Sequence, residues 1–339
     1  MLKITNLYLV SIVIPCRNEE KFIAKCLDSI INNDYPKENL EVLIIDGISE
    51  DKTRQIVDEY IKQYSFIRLL DNPNRFSPSA LNIGIKNAKG DIIVRLDAHA
   101  TYEKDYISKC VSYMDKYEAD NVGGRMMTIS GNNTLVGKAI VLALSHRFGV
   151  GNSYFRIGSK EPKFVDTVPF GCYKKEVFEK IGLFNENLIR NQDIEFNLRL
   201  KKSGGKILLV PDIVSYYYAR SDLKNLFMQN FKNGLWVIYS NRFAKAPFSW
   251  RHLIPYIFVS SLVGSLFLSI FWIPFLYLFL MIILVYLTAN VFFSLNISLK
   301  NGMKLFPFII ISFFVLHFSY GLGSIRGLMK LITPSKIRM

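Results

Sequence analysis

The sequence predicts an α/β domain built on a mainly parallel, doubly wound sheet, followed by a C-terminal α-helical transmembrane region. Three observations carry this expectation. Strand-like and helix-like segments alternate through residues 1–220, acidic residues close two strands of a buried type, and from Arg251 to Met339 there is no Asp or Glu against seven Lys or Arg. The expected parts are the α/β domain over 1–220, an amphipathic interfacial helix region over 221–250 and membrane helices over 251–339.

The alternation runs strand "LVSIVIP", helix "EEKFIAKCLDSIIN", strand "EVLIID", helix "SEDKTRQIVDEYIKQY", strand "IRLLD", helix "SPSALNIGIKNAK", strand "DIIVRLD". Strands and helices repeating at this spacing form right-handed βαβ units, whose strands lie parallel. The apolar start "NLYLVSIVIP" is short and runs straight into "CRNEE", so it reads as a first strand and not as a signal peptide. In such sheets ligands bind outside the carboxyl ends of the strands. Those ends read "PCRNEE", "DGISEDKT", "DNPNR" and "DAHA", an acidic and basic rim around one crevice.

Three apolar segments follow, at 253–272, 274–294 and 305–323, each long enough for about 30 Å of hydrocarbon. Three spans would place Arg326, Lys330, Lys336 and Arg338 opposite the α/β domain, which the positive-inside rule resists; a re-entrant third segment or an additional span would resolve this. Ahead of them, Leu223, Leu226, Phe227, Phe231, Leu235 and Ile238 recur at helical spacing with Lys and Arg between, the pattern of a helix lying in a membrane interface. The competing reading is a helix packed on the α/β domain. His317 reads as a packed histidine and not as part of a transport pathway.

The formal net charge is +14, divided evenly between residues 1–250 and the tail. That balance suits anionic membrane surfaces or anionic substrates. No dense basic cluster points to nucleic acid. Cys16, Cys26, Cys110 and Cys172 form no CxxC pair and no metal-ligand spacing, as expected of reduced thiols in a cytosolic core.

Five stretches in order, "VSIVIPCRNEEKFIAKCLDSI", "EVLIIDGISEDKT", "NRFSPSALNIGIKNAKGDIIVRLDAHA", "VPFGCYKKEVFEKIGLFNENL" and "RNQDIEFNLRLKKSGGKI", resemble the family 2 glycosyltransferases of the GT-A nucleotide-diphospho-sugar transferase fold. The resemblance covers about residues 9–215, and within the family "DAHA" and "NQD" look most like the membrane-anchored, succinoglycan-type exopolysaccharide branch. It implies a GT-A catalytic domain over 1–220 and an inverting, hexosyltransferase-type enzyme. The donor would be a nucleotide-diphosphate sugar, a UDP-sugar foremost. The acceptor would be a glycan hydroxyl, lipid-linked, at the cytoplasmic face of the cell membrane, in polysaccharide or glycoconjugate synthesis.

Residue by residue, the resemblance gives Pro15, Arg17 and Glu19 to the first nucleotide-contacting loop, Asp46 to the base or ribose, and Arg75 to the diphosphate, where a guanidinium fork suits phosphate oxygens. Asp97 and His99 stand where the family carries a DxD motif. A departing nucleoside diphosphate is usually stabilised by a divalent ion, so Mn²⁺ or Mg²⁺ is the expected cofactor. On an extended chain Asp97 and His99 would project to the same side, and a coordinating imidazole would favour Mn²⁺ over Mg²⁺. The acceptor hydroxyl needs a base; the second residue of the family's "ED" pair supplies it, here Asp193. Gln192 replaces the first acid and removes a negative neighbour. Gly124 and Gly171, with Gln192, match segments on the acceptor side.

Each assignment has a plainer counterpart. Asp97 could cap the loop after its strand beside a passive His99, the loop residues could be solvated charges, and Asp193 could serve only the dipole of a helix N-terminus, a task open to Glu195 as well. Two further functions compete. A polyprenyl-phosphate sugar synthase has an ionised acceptor and needs no base, and a non-catalytic membrane protein would only bind nucleotide sugar. A processive synthase would carry Gln-x-x-Arg-Trp before its spans, and "QNFKNGLW" does not match; a nucleotidyltransferase would carry glycines in "PCRNEE".

Overall fold

The computed structural model describes residues 6–243 and 250–333. Lys336 and Arg338 lie outside the described residues, as do 244–249 of the expected interfacial region. Contacts divide the chain into two compact units: residues 1–127 with 158–217, and residues 128–157 with 218–339.

The first unit is built on the βα repeat read from the sequence. In order come β1 (Val10–Cys16), α1 (Ile23–Ile31), β2 (Leu40–Asp46), α2 (Thr53–Gln63), β3 (Ile67–Asp71), α3 (Ser77–Asn87) and β4 (Ile92–Arg95). These four strands pair in parallel in the order β3-β2-β1-β4. All seven residues of β2 are buried, which is why, past Glu41, the strand reads as an apolar run up to its closing aspartate. Each large aliphatic side chain buried there contributes about 1.5–3 kcal/mol.

After β4 the chain changes habit. It forms β5 (Ala100–Tyr102), α4 (Tyr106–Tyr117), β6 (Asn121–Ser130), α5 (Leu135–Leu144), α6 (Arg147–Val150), α7 (Tyr154–Ile157), β7 (Lys163–Phe164), β8 (Cys172–Lys174), α8 (Lys175–Ile181), α9 (Gln192–Lys202) and β9 (Ile207–Ala219). β8 joins β4 antiparallel, β6 joins β8 antiparallel, and β5 and β7 join β9 antiparallel. The nine-stranded sheet is therefore mixed, with its parallel half toward β3. Two glycines fix the antiparallel half. A Cβ at Gly124 would lie 2.0 Å from the Ile213 carbonyl oxygen, and one at Gly171 2.5 Å from Asn121 Oδ1. The four cysteines are buried and free.

The second unit gathers α5, α6 and α7 with α10 (Leu223–Tyr239), α11 (Trp250–Leu268), α12 (Pro274–Asn301) and α13 (Phe306–Ile332). α11, α12 and α13 are long and apolar enough to cross a membrane. α13 is a continuous helix, about 40 Å long at 1.5 Å per residue, and not the broken segment a re-entrant path needs. α10 packs lengthwise on it through small residues: the carbonyls of Phe231 and Leu235 approach Gly323 and Gly327, the Tyr320 carbonyl approaches Gly234, and Ser324 Oγ donates to the Gly234 carbonyl at 3.2 Å. α10 is thus held by backbone proximity to α13, more tightly than a helix resting on an interface by one apolar stripe. His317 accepts or donates on both ring nitrogens, Nδ1 with Tyr286 OH at 3.2 Å and Nε2 with the Phe148 carbonyl at 2.7 Å. The carbonyl can only accept, so Nε2 carries the proton and Nδ1 receives the tyrosine hydroxyl.

This division redistributes the charge expected from composition. The unit of residues 128–157 and 218–339 contains one acid, Asp222, against fifteen Lys and Arg, so it carries the whole formal net of +14; the other unit is neutral.

Candidate active site

The loops after β1, β2 and β3 meet as the sequence implies. A Cβ on Gly47 would come within 3.2 Å of Arg17 Cβ and 3.4 Å of Arg75 Cα. Both guanidiniums lie 3.9 Å from Glu50 Oε1. The first two loops are laced together: Asn18 N donates to Ser49 Oγ at 2.9 Å, Glu50 N to Asn18 Oδ1 at 2.9 Å, and Glu19 N to Thr53 Oγ1 at 2.7 Å. Pro15 pairs with Ile45 inside the sheet, so it shapes the loop from below.

Asp46 closes β2. It is fully buried, accepts from Ser49 N at 3.0 Å and Ser49 Oγ at 2.5 Å, and pairs with Arg54 at 2.8 Å. Arg54 also holds Asp71 at 2.7 Å. These two carboxylates raise the affinity of the Arg54 guanidinium for its proton, Asp71 first. Asp46 therefore fixes the second loop.

β4 stops at Arg95, two residues before Asp97, and residues 97–100 form a turn closed by Ala100 N donating to the Asp97 carbonyl at 3.3 Å. The extended chain expected for Asp97 and His99 is absent from this stretch, and each side chain is held by its own partner. Arg95 Nη2 donates to Asp97 Oδ1 at 2.8 Å. Asp97 Oδ2 has no hydrogen-bond partner among the described residues. His99 Nδ1 lies 3.1 Å from Glu19 Oε1, and the ring meets Tyr217 edge-on at 5.6 Å. Tyr102 OH accepts from Asp97 N at 2.8 Å, pinning the turn.

Asp193 lies in the first turn of α9, behind Asn191 at φ 61°. Its Oδ1 accepts from Ile194 N at 2.9 Å. Glu195 is engaged elsewhere, held by Arg199 through two bonds of 2.7 and 3.0 Å, while Arg199 also donates to the Leu183 carbonyl at 2.7 Å. Phe196 anchors the helix, stacking on Phe184 at 4.4 Å and meeting Tyr173 edge-on at 5.5 Å. Gln192 is buried. Gly171 O accepts from Arg95 N at 2.9 Å, while Gly124 faces Ile213, where sheet packing alone requires a glycine.

Arg95 was not singled out from the sequence, although a lone cation in "IIVR" was its signal. Its side chain is 12% exposed and its Nε is buried without a partner. Burial pulls its pKa down, and the charges of Asp97 and then Asp193 push it up further, so the net shift is upward.

Backbone strain marks the same rim. Non-glycine residues with positive φ are Asn18, Ile48, Arg75, Glu118, Phe170 and Asn191 among the described residues. All but Glu118, which ends α4, adjoin or are the residues singled out above. Left-handed backbone costs a residue such as Ile48 about 1–2 kcal/mol, and strain of this kind clusters at functional sites.

Among the described residues no group of three or more His, Cys, Asp or Glu could hold a metal ion. Asp97 and His99 supply two ligand types. A divalent cation at a nucleotide site commonly takes one or two protein ligands and completes its shell with phosphate oxygens and water, so the pair fits a cation that arrives with a diphosphate.

The family model Glycosyl transferase family 2 matches residues 11–182. A Methanococcus voltae protein, dolichyl N-acetyl-alpha-D-glucosaminyl phosphate 3-beta-D-2,3-diacetamido-2,3-dideoxy-beta-D-glucuronosyltransferase, is 33% identical over 95% of this chain and 97% of its own. The succinoglycan biosynthesis protein ExoA of Rhizobium meliloti (strain 1021) is 32% identical over 66% of this chain and 67% of its own. Among solved structures, the mannosyltransferase PcManGT of Pyrobaculum calidifontis, in complex with GDP-Man and Mn²⁺, shares the fold with a TM-score of 0.60 at 17% identity, over 98% of this chain and 90% of that one.

Proposed function

The chain belongs to glycosyl transferase family 2 and is a glycosyltransferase, and from that premise we propose an inverting transfer from a nucleotide-diphosphate sugar, foremost a UDP-sugar, to a glycan hydroxyl on a lipid-linked acceptor. The observation that supports this most is that Asp97, just past the carboxyl end of β4, gives one oxygen to Arg95 at 2.8 Å, while Asp193, distant in sequence, opens α9 with its Oδ1 bonded to the Ile194 amide. The donor side is the rim of Arg17, Glu19, Arg75, Asp97 and His99. Asp97 and His99 would hold Mn²⁺ or Mg²⁺, whose charge stabilises the departing diphosphate. Arg17 and Arg75 add fixed positive charge to the same rim.

Asp193 is the base. With Glu195 committed to Arg199, it is the first-turn carboxylate left to receive the acceptor proton as the hydroxyl oxygen attacks the anomeric carbon. Attack from the face opposite the diphosphate inverts the configuration, and no covalent sugar–enzyme intermediate is required.

The apolar helices α11, α12 and α13 fit membrane integration, with the catalytic unit at the cytoplasmic face in polysaccharide or glycoconjugate synthesis. The Methanococcus voltae relative is named for transfer to a dolichyl phosphate-linked sugar, which supports a lipid-linked acceptor here. A polyprenyl-phosphate sugar synthase would leave Asp193 without a task.

The test is nucleotide diphosphate release by detergent-purified protein from UDP-, GDP- and dTDP-sugars, with Mn²⁺, Mg²⁺ or EDTA. Metal-dependent release from one donor, lost in Asp97→Ala, is the expected result. Release that persists in EDTA or in the variant would overturn the donor assignment.

A further inference from the structure

Arg95 is the last residue of a buried strand, where a charge is costly unless it is paired. Its partner is Asp97, two residues on, at 2.8 Å, and the pairing has a direction. The guanidinium takes Oδ1 and leaves Oδ2, so the carboxylate cannot turn freely. The Arg95 amide is tied to Gly171 O at 2.9 Å, which fixes the side chain's root to β8. Tyr102 OH holds the backbone of the turn through Asp97 N. The guanidinium Nε remains buried with no partner among the described residues, and an unpaired buried donor is costly, a cost tolerated where a ligand or a moving group completes the bond.

We propose that Arg95 is a positioning residue for the transfer reaction: its guanidinium orients the Asp97 carboxylate so that Oδ2 alone faces the cation and diphosphate. The inference rests on the reading of Asp97 as the donor-site aspartate. Charge alone predicts the opposite effect from geometry. A cation next to a metal ligand repels the metal, so an arginine that served only as a buried counter-charge would weaken metal binding, and its neutralisation would strengthen it. An arginine that sets the carboxylate's orientation strengthens binding through its planar fork, which lysine cannot reproduce.

The experiment measures Mn²⁺ binding by electron paramagnetic resonance on the full-length protein in detergent, with UDP present and no sugar, for the parent, Arg95→Lys, Arg95→Gln and Asp97→Ala. Loss of an outer-shell partner typically costs metal affinity about 10–100-fold. Both Arg95 variants are expected to bind Mn²⁺ at least about tenfold more weakly, in line with that range. Parent-like binding in Arg95→Lys, or tighter binding in Arg95→Gln, overturns the proposal. Should Arg95→Gln fail to fold, judged by its thermal unfolding, the lysine variant decides alone. Parent-like binding in Asp97→Ala would instead defeat the donor-site reading itself, so the two failures are distinguishable.

Discussion

At the scale of single residues, the site is a set of carboxylates sorted by their partners. Glu195 and Asp193 share one helical turn, yet Arg199 holds the first by two bonds, while the second takes the Ile194 amide and is the base of the proposed reaction. Asp193→Asn should lower transfer about 10²–10⁴-fold, the usual weight of a general base, with nucleotide binding unchanged in the same preparation. Full transfer by that variant would exclude the assignment. The places of Asp97 after an apolar strand and of Asp193 in the first turn of a helix were legible, because an acid after an apolar strand and an acid opening a helix leave clear marks in sequence. The hold of Arg54 on Asp46 and that of Arg95 on Asp97 were not legible, since pairing depends on side-chain rotamers that no periodicity records. The turn at residues 97–100 escaped for a related reason: "DAHA" has neither glycine nor proline to announce it.

At the scale of elements, the parallel half of the sheet was readable almost strand for strand. β3 coincides with "IRLLD", because a strand–helix repeat reports both its period and its breaks. Much of the antiparallel half was not, since β5, β7 and β8 are only two or three residues long, too short for alternation to show, although β6 and β9 are long strands. α10 was read as a helix correctly in period, but its close partner was hidden: small residues on α13 mark a packing face only once two helices are placed together. Gly323→Val should therefore separate α10 from α13, since even a Cβ there would lie 2.0 Å from the Phe231 carbonyl. Faster amide hydrogen exchange across Leu223–Tyr239, with β1 and β2 unchanged, is the expected outcome. Unchanged exchange in α10 would show that the two helices are held by other contacts.

At the scale of the whole molecule, composition drew one boundary, near residue 250, and contacts draw another. Residues 128–157 lie inside the stretch that reads as catalytic, but they pack with the C-terminal helices: Phe148 meets Phe313 at 4.9 Å and Phe293 at 4.9 Å. A chain cut after Ser221 keeps this segment and removes its partners, exposing an apolar surface of the kind that drives association. Such a fragment should sediment with membranes or aggregate, as measured by ultracentrifugation of the lysate; a soluble monomer would show that α5 and α6 fold back without α13.

The separation of charge has a practical corollary. With one unit neutral and the other carrying the net +14, the excess of cations belongs to one unit alone. A sulfonated support at neutral pH and low salt will capture it through the unit that contains α10 to α13, by attraction that fades beyond about 10 Å at 0.1 M ionic strength. The enzyme can then be immobilised with no coupling chemistry near Asp97 or Asp193.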